Sequence, residues 1–557
     1  MYAAKASRVS NHTRLALAAC ASVVLITGIA AAQSGGRRGG GNAGTPSQTG
    51  GRRGGVSDGP GFSVNPFPHQ IGNANSGQAV FRFETFGNEG FWTDAVRLPQ
   101  GMMAASFTPL DALRLGLNVD ADALPQATRA ALAWELRTDL TQRNGPLLNN
   151  PGAMDALINA NAIIGMVAVD TNQDGRLDIR SGDKVGVSCA ICHSITNGSV
   201  FDPRSETMGG IGSRLDGRAT HSIDVGGLFA LGANSRALYP GLQLELGGRT
   251  VGRAPTGLTE NSTESQVDAY FRNKRFYPRG LFDDTPDGVG NPIQNTPLFR
   301  TDLSAPYGTA GEHAVLDNFG NAVYTVLLDM TTLVTPEGRE FLRIRAGAAG
   351  EELANDYARI LRETGVTGFP FVRAFTGFRP GDPAGPAGRR VDNQKLLDMN
   401  AYTDSLPAPQ GARVNVAAAR RGRELFRARC TSCHNVDQGR FVPPLLIAPS
   451  TIFPAYRPEV IATRMPPQDP VQNSPGTFDD KFVVVDASDR GDPRGNALTL
   501  LLDLNRKPKF LHDASVPSLG RLLDPARGRT APHPFYFSDD QERADVLAFL
   551  RSLDMGG

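Results

Sequence analysis

The sequence reads Cys189-Ala190-Ile191-Cys192-His193, and a second copy of the same pattern reads Cys430-Thr431-Ser432-Cys433-His434. In each copy two residues separate the cysteines, and a histidine follows at once. This spacing is typical of the attachment site of a c-type haem. Two thiols three positions apart on a helical turn can bond the two vinyl groups of one haem, and the adjacent imidazole can then bind the iron. The sequence therefore predicts two covalently bound haem c groups, with His193 on the first iron and His434 on the second.

The alternative for these four cysteines is a pair of disulfides or of thioredoxin-like redox motifs. That alternative leaves the histidine after each pair unexplained, and the fifth cysteine of the chain, Cys20, lies far away near the N-terminus. We therefore favour haem attachment.

The N-terminal segment has the pattern of a secretory signal peptide. Basic residues precede an apolar run from Leu15 to about Ile29, and Ala30-Ala31-Ala32 supplies the small residues of a cleavage site. Residues 1–32 are predicted to be this signal peptide, which directs the protein to the periplasm or beyond. Two alternatives stay open: an uncleaved membrane anchor, since Leu15–Ala32 is just long enough, and a lipoprotein cleavage box ending at Cys20. Contact with a membrane is expected only if the segment is uncleaved.

The overall composition restricts the class of protein. The chain of 557 residues contains 63 glycines and 39 prolines, so long stretches must be loop. Residues 33–60 are especially rich in Gly and Arg, and they are predicted to be a flexible tether. The chain has 57 Lys and Arg against 56 Asp and Glu, a formal net charge of +1. A balance this close to neutral gives no general attraction to nucleic acid, so we expect no nucleic-acid partner.

The second motif lies in a stretch that resembles a small cytochrome domain. Val416–Arg429 has helical spacing and leads into Cys430, while a capping box at residues 538–541 opens an amphipathic helix that runs through Leu553. The predicted fold class is mainly α with high loop content, made of two c-type cytochrome haem domains. We place the N-terminal haem domain, enlarged by long insertions, at residues 61–405 and the C-terminal cytochrome c domain at residues 406–557.

A possible calcium loop precedes the first motif. We expect a helical stretch near Met154–Val169, followed by side-chain oxygens at the first, third, fifth and ninth positions of an EF-hand-like loop with glycine at the sixth. The four predicted ligands are Asp170, Asn172, Asp174 and Asp178. The twelfth position is Ser181, where a carboxylate is usual, so an Asx-rich turn that bonds its own backbone is the alternative.

The remaining axial ligands decide which iron is open. The segment from Phe510 to Leu519 resembles the Tyr-x-His-Asp-Gly-Ser-x-x-x-Leu segment of bacterial di-haem peroxidase-like proteins, so we predict His512 as the second ligand of the second haem iron, with His533 as second choice. A degraded copy of the segment follows the first motif, with Thr309 at the histidine position. The first iron is therefore expected to be open, with Met208 and His221 as competing ligands.

Together these motifs resemble the di-haem cytochrome c peroxidase superfamily, and most closely its branch containing the bacterial di-haem rubber oxygenases. The resemblance covers roughly residues 65–555. It implies that the first haem faces the substrate, that the second passes electrons, and that Ca²⁺ can bind near the haems. The peroxidases place a tryptophan between the haems, whereas both tryptophans of this chain precede the first motif. An aromatic relay would have to use a residue such as Phe319 or Tyr324.

We therefore expect an oxidoreductase that reduces hydrogen peroxide at the first haem with electrons from a small periplasmic donor of the cytochrome c or cupredoxin type. A distal acid or base is required to move the proton. The candidate residues are Glu245, Glu260, Glu264 and Glu312. The alternatives are an electron-transfer cytochrome without catalysis and an O₂-dependent oxygenase of a hydrophobic substrate.

Overall fold

Helices form most of the regular structure, and short paired strands lie between them. The computed structural model describes residues 71–137, 145–203, 207–251, 257–283, 286–290, 292–308, 311, 313, 315–374, 390–431, 434, 444–447, 482–486, 495–498, 500–511, 514, 516–527, 533 and 535–554. All of them belong to one compact unit, residues 55–557. The predicted signal peptide and tether, as well as Cys433 and His512, lie outside the described residues.

The α-helices are α1 Ala74–Phe83, α2 Leu98–Ala104, α3 Pro109–Arg114, α4 Gln126–Glu135, α5 Pro151–Asn159, α6 Ala190–His193, α7 Val225–Phe229, α8 Glu264–Arg272, α9 Leu316–Ala322, α10 Pro336–Ala346, α11 Ala348–Glu363, α12 Asn393–Ser405, α13 Val416–Arg429, α14 Leu519–Leu522 and α15 Asp540–Ser552. Single π-helical turns occur at Phe91–Ala95 and Val323–Leu327, and 3₁₀ turns at Ala121–Ala123, Ser235–Gly241, Thr301–Leu303, Met330–Val334 and Pro525–Arg527. Within the described part of the chain, no helix is both long and apolar enough to cross a bilayer.

The strands are β1 Val119–Asp120, β2 Met166–Val169, β3 Lys184–Val187, β4 Ser194–Thr196, β5 Ile211–Gly212, β6 Arg214–Asp216, β7 Glu245–Leu246, β8 Arg249–Thr250, β9 Leu281–Asp283, β10 Pro292–Gln294, β11 Pro444–Ile447, β12 Phe482–Asp486 and β13 Gly495–Ala497. The antiparallel pairs are β2 with β3, β4 with β6, β7 with β8, β9 with β10, and β12 with β13. The pairs β1–β5 and β11–β12 are parallel.

Two helix crossings of the same design occur in the two halves of the chain. In the first, α1 crosses α12, and a Cβ added to Gly77 would lie 1.9 Å from the carbonyl oxygen of Asp398 and 2.9 Å from Cβ of Tyr402. In the second, α13 crosses α15, and a Cβ on Gly422 would lie 2.0 Å from the oxygen of Asp545 and 2.9 Å from Cβ of Phe549. Both crossings therefore depend on a glycine that lets the two backbones touch.

An aromatic contact completes each crossing. Phe81, four residues after the first glycine, meets Tyr402 edge-on with ring centres 5.7 Å apart. Phe426, four residues after the second glycine, meets Phe549 at 5.4 Å. The shared spacing of glycine, aspartate and aromatic residues indicates that the two halves repeat one helical framework.

The two halves differ in the length of chain between the first helix of the crossing and the cysteine motif. Helix α13 ends at Arg429 and leads directly into Cys430, whereas residues 84–188 lie between α1 and Cys189. The end of α1 nevertheless contacts its motif, because the Ser188 hydroxyl donates a hydrogen bond to the Arg82 carbonyl oxygen at 2.8 Å. The intervening residues contribute much of the largest hydrophobic core, which includes Phe91 and Leu113.

A second repeat follows each motif. Tyr307 pairs with His313 as an isolated antiparallel bridge, and Phe510 pairs with Val516 in the same way. The intervening turns have left-handed residues at matching positions, with φ of 83° at Gly308 and 67° at Leu511. A short helix then begins at corresponding positions, α9 in the first copy and α14 in the second. This geometry agrees with the sequence alignment of the two segments, although Thr309 itself lies outside the described residues.

Two expectations about helices need correction, while a third is confirmed. Helix α13 spans Val416–Arg429 as predicted. The stretch near Met154–Val169 is not one helix, because α5 ends at Asn159 and Met166–Val169 forms a strand paired with Lys184–Val187. A short buried apolar run fits either type of structure, and here the partner strand decides. The last helix is capped by Asp539, whose side chain accepts from the Glu542 amide, one residue later than the predicted capping box.

The second helix crossing gives a stability prediction. Gly422→Ala would force the new methyl group against the Asp545 carbonyl oxygen, so we expect the free energy of unfolding to fall by about 3 kcal/mol. Gly520→Ala is the matched control, because the nearest atoms to its added Cβ are 3.9 Å away, and we expect a change below about 1 kcal/mol. Denaturant unfolding of both variants measures the difference. Equal effects would contradict the close backbone contact.

Candidate functional site

The first cysteine motif forms a short helix at the wall of an apolar cavity. Cys189 is the N-cap of α6, and the His193 amide donates to the Cys189 carbonyl oxygen at 3.2 Å. The thiols of Cys189 and Cys192 are both free, so they are not joined as a disulfide. Burial raises the pKa of Cys189 to about 11 and that of Cys192 to about 12, which keeps both sulfurs as neutral thiols.

Cys189, Cys192 and His193 lie together at the wall of this cavity. The other lining residues are Trp92, Val187, Ser188, Ile191, Ile223, Val225, Leu228, Phe229, Phe282, Leu298, Leu316, Phe319, Gly320, Val323, Leu327, Leu328, Met399, Asn400 and Thr403. A mainly apolar lining with two free thiols and an imidazole has the chemistry that a covalently attached haem requires.

The ring of His193 is held in the orientation that a metal ligand needs. Its Nδ1 lies 2.7 Å from the Thr296 carbonyl oxygen and can donate a hydrogen bond to it, which leaves Nε2 for an iron. Burial lowers the pKa of His193 to about 4, so the ring is neutral and can bind a metal. The adjoining Cys192 carbonyl oxygen accepts hydrogen bonds from the Asn295 side chain and from the Thr220 amide.

The described lining contains no charged side chain and no histidine other than His193. Of the two competing ligands, neither Met208 nor His221 is part of it. The lining does include a methionine that the sequence analysis missed: Met399, whose sulfur lies 3.7 Å from Sγ of Cys189. That contact places the Met399 thioether beside the attachment thiol.

The predicted acid and base candidates are elsewhere. Glu245 belongs to β7, Glu260 pairs with Arg359 at 3.1 Å, and Glu264 accepts from the Ser235 amide, while Glu312 lies outside the described residues. The described residues therefore supply no carboxylate to this cavity.

Aromatic side chains surround the first motif. Phe319 lines the cavity, and the Tyr324 hydroxyl lies 3.3 Å from Sγ of Cys189, so both residues named as a possible relay are close to the site. Trp92 also lines the cavity, and its buried Nε1 has no hydrogen-bond partner. An unpaired donor at this position is consistent with a cavity that receives a further group. No local sequence pattern indicates Trp92 as a lining residue, because most of the inserted segment separates it from Cys189.

The second motif has a different setting, because a second imidazole faces its histidine. The ring centres of His434 and His533 are 6.1 Å apart. Imidazole nitrogens bind metal ions at about 2 Å, so two rings on opposite sides of one ion have centres about 6 Å apart. Burial lowers the pKa of His434 to about 4, and burial together with His434 lowers the pKa of His533 to about 3. Both rings are therefore neutral.

The backbone at His533 is unusual. Its φ is 54°, in the left-handed region that a side chain such as histidine rarely adopts. Its Nδ1 is buried without a hydrogen-bond partner, while Phe535 meets the ring edge-on at 5.8 Å. The surroundings thus hold the ring against His434, which favours our second choice, His533, as the facing ligand. The preferred candidate, His512, lies outside the described residues and stays a prediction.

The side chains of the predicted calcium loop accept hydrogen bonds from backbone amides of the same loop. The Asp170 carboxylate accepts from the amides of Gln173 at 2.6 Å and Gly175 at 2.9 Å, and the other predicted ligands likewise accept from amides two residues further on. This is the Asx-turn arrangement that the sequence left as the alternative. Across the described residues, no group of three or more His, Cys, Asp or Glu side chains is arranged to hold a metal ion. Calcium binding at Asp170, Asn172, Asp174 and Asp178 stays a prediction.

Comparisons of the chain with protein-family models, with curated proteins and with solved structures give no match.

Proposed function

We propose that the chain is an exported di-haem c-type cytochrome that acts as a peroxidase-like oxidoreductase. It reduces hydrogen peroxide at the first haem site with electrons relayed through the second. The observation that carries the proposal is the difference between the two motif histidines. His434 faces a second imidazole, whereas the described wall of the cavity at His193 offers no second imidazole.

Each haem would be held by its own motif. Cys189, Cys192 and His193 hold the first, and Cys430, Cys433 and His434 hold the second. When bound, the haems supply electron transfer and the breaking of the peroxide O–O bond. The protein sets the ligation, the access and the surroundings.

The residues around the first site orient its ligand and restrict what can enter. The Thr296 carbonyl oxygen fixes the ring of His193. Apolar side chains such as Val225, Leu228 and Phe319 exclude bulk water, so the cavity favours a small uncharged oxidant over an anion. At the second site, His434 and His533 together would leave no position for an oxidant, which suits a site that only passes electrons.

Residues 294–296 connect the first site to the segment that follows the second motif, which supports the proposed relay. The Asn295 side chain donates to the Cys192 carbonyl oxygen, and Thr296 contacts His193. The side chain of the preceding residue, Gln294, donates to the carbonyl oxygen of Leu511 in the segment that follows the second motif. This short stretch of chain therefore joins the first motif to the second half through hydrogen bonds.

The partners follow from the same proposal. A small periplasmic cytochrome c or cupredoxin supplies the electrons, and the signal peptide at residues 1–32 directs export. Calcium binding at the Asp170 loop remains part of the proposal only as an accessory feature.

An O₂-dependent oxygenase of a hydrophobic substrate is the second candidate function. The specific observation in its favour is the lack of a charged side chain in the described cavity lining, because cleavage of peroxide needs a group that carries a proton. An oxygenase that uses dioxygen and an apolar substrate does not require such a proton-carrying group in the cavity wall. An electron-transfer cytochrome without catalysis is the remaining alternative.

Turnover assays distinguish these functions. We expect the purified holoprotein to oxidise a reduced small cytochrome c in a peroxide-dependent reaction, with a rate on the order of 1–1,000 per second. Cyanide should inhibit it, because a small ligand can reach the first site. Oxygen uptake with an unsaturated hydrocarbon, and no peroxide-dependent oxidation, would replace the peroxidase by the oxygenase. Absence of both reactions would leave the electron carrier.

A further inference from the structure

A group of basic side chains lies where the two halves of the chain meet. Its members, called the basic cluster below, are Arg218, His221, Arg279, Arg506, Lys507 and Lys509. The Arg506 guanidinium donates to the Ala219 carbonyl oxygen at 3.0 Å, and Arg279 donates to the Ser222 carbonyl oxygen at 3.1 Å. These bonds bring Arg279, which precedes the second motif in the sequence, and Arg506, which follows it, to the segment around His221.

The cluster adjoins the first cysteine motif. The Thr220 amide, between Arg218 and His221 in the sequence, donates to the Cys192 carbonyl oxygen at 2.9 Å. Gly280, the neighbour of Arg279, packs against the backbone of His221. The cluster is therefore attached to the wall of the first site through one hydrogen bond.

The positive charge in the cluster exceeds the negative charge supplied by the described residues. Asp503 is the carboxylate that faces Arg218, Arg506 and Lys507, and it is already bound by the Arg506 guanidinium at 2.7 Å. Burial, opposed in part by Asp503, lowers the pKa of Lys507 to about 8, and burial followed by Arg279 lowers the pKa of Lys509. An excess of partly buried cations is costly unless an anion compensates it.

The ring of His221 supplies an independent observation. The residue is 6% exposed. Burial is the main cause that lowers its pKa, and the charges of Arg506, Lys507 and Lys509 lower it further. A buried neutral imidazole beside guanidinium and ammonium groups adds no negative charge that would compensate them.

We propose that the basic cluster is a binding site for carboxylate groups and that its occupants are haem propionates at the junction of the two halves. Guanidinium and ammonium groups form their strongest hydrogen bonds with carboxylates. The choice of occupant rests on the proposed function, which supplies a haem whose motif adjoins the cluster. A free carboxylate or phosphate from solution is the other source of the same chemistry.

Lys507→Gln tests the site in the holoprotein, with Lys507→Arg keeping the charge and Arg551→Gln removing an exposed charge elsewhere. A cation near a haem stabilises its reduced form. We therefore expect the ratio of reduced to oxidised haem at a fixed applied potential to fall about tenfold for one haem in Lys507→Gln. Lys507→Arg and Arg551→Gln should match the parent protein. A spectroelectrochemical titration measures all four proteins.

Added anions distinguish the source. If propionates occupy the cluster, acetate and phosphate at constant ionic strength leave the potentials and the Tm unchanged. If a free anion occupies it, both quantities respond in the parent protein and not in Lys507→Gln, which supports the carboxylate site and assigns its occupant to solution. A Lys507→Gln protein that behaves like Arg551→Gln, with no response to anions in the parent, would overturn the proposal.

Haem content and peroxide turnover are measured separately, and they test the proposed function independently of the carboxylate site. Should the chain carry no haem, an anion-dependent Tm that Lys507→Gln abolishes still supports a carboxylate site, and an unchanged Tm overturns it.

Discussion

His533→Ala is expected to leave the second haem attached while converting it from a low-spin to a high-spin state. The ring centre of His533 lies 6.1 Å from that of His434, so under the proposed function its removal would take away one of two strong axial ligands. With two haems per chain, about half of the total haem should change. Electron delivery to the first site should weaken with it, and we expect peroxide turnover to fall at least about tenfold. EPR and visible spectra of the oxidised protein measure the spin state.

His512→Ala is the critical comparison for this variant. The sequence resemblance predicts His512 as the ligand, whereas the described geometry brings His533 to His434. If His533 is the ligand, His512→Ala keeps a low-spin second haem. The reverse result, a high-spin haem in His512→Ala and an unchanged spectrum in His533→Ala, would contradict the pairing.

Replacing both Cys189 and Cys192 by alanine is expected to reduce the covalent haem content from two groups to one and to abolish peroxide turnover. The two thiols are free and lie at the wall of the apolar cavity where the first haem would be attached. Since the proposed function assigns only electron transfer to the second site, turnover should fall by a factor on the order of 1,000 or more. The mass of the denatured chain and its haem absorbance after solvent extraction measure the covalent content.

Cys20→Ser serves as the control for that variant. Cys20 belongs to the predicted signal peptide, so its replacement should leave two covalent haems. Retention of two covalent haems by the double variant would contradict attachment at Cys189 and Cys192. Retention of full turnover with one haem would instead move the reaction away from the first site.

Local sequence patterns predict helix α13 and the two cysteine motifs, because each depends on residues that are close together in the sequence. Helix α13 has its predicted bounds because its spacing is helical and the motif begins directly after it. The two cysteine motifs stand out because haem attachment requires adjacent residues. The sequence-based expectation of a helix at Met166–Val169 is wrong. A short apolar run does not indicate the strand Lys184–Val187 that pairs with it.

The residues that complete each site could not be predicted in this way, because distant parts of the chain supply them. Trp92 comes from the insertion before the first motif, and Met399 comes from the helix that crosses α1. His533 has a left-handed backbone conformation, which no helical or strand periodicity in the sequence predicts. The basic cluster likewise combines residues near 220, 280 and 506, which only the folded chain brings together.

The proposed function requires two haems, the first with an open iron and the second with both axial positions filled. Low-temperature EPR of the oxidised holoprotein, recorded before and after half-reduction with and without cyanide, tests this requirement. We expect one low-spin signal that does not change with cyanide and one high-spin signal that becomes low-spin when cyanide binds. Two low-spin signals that ignore cyanide, even after half-reduction, would contradict it and identify the protein as an electron carrier.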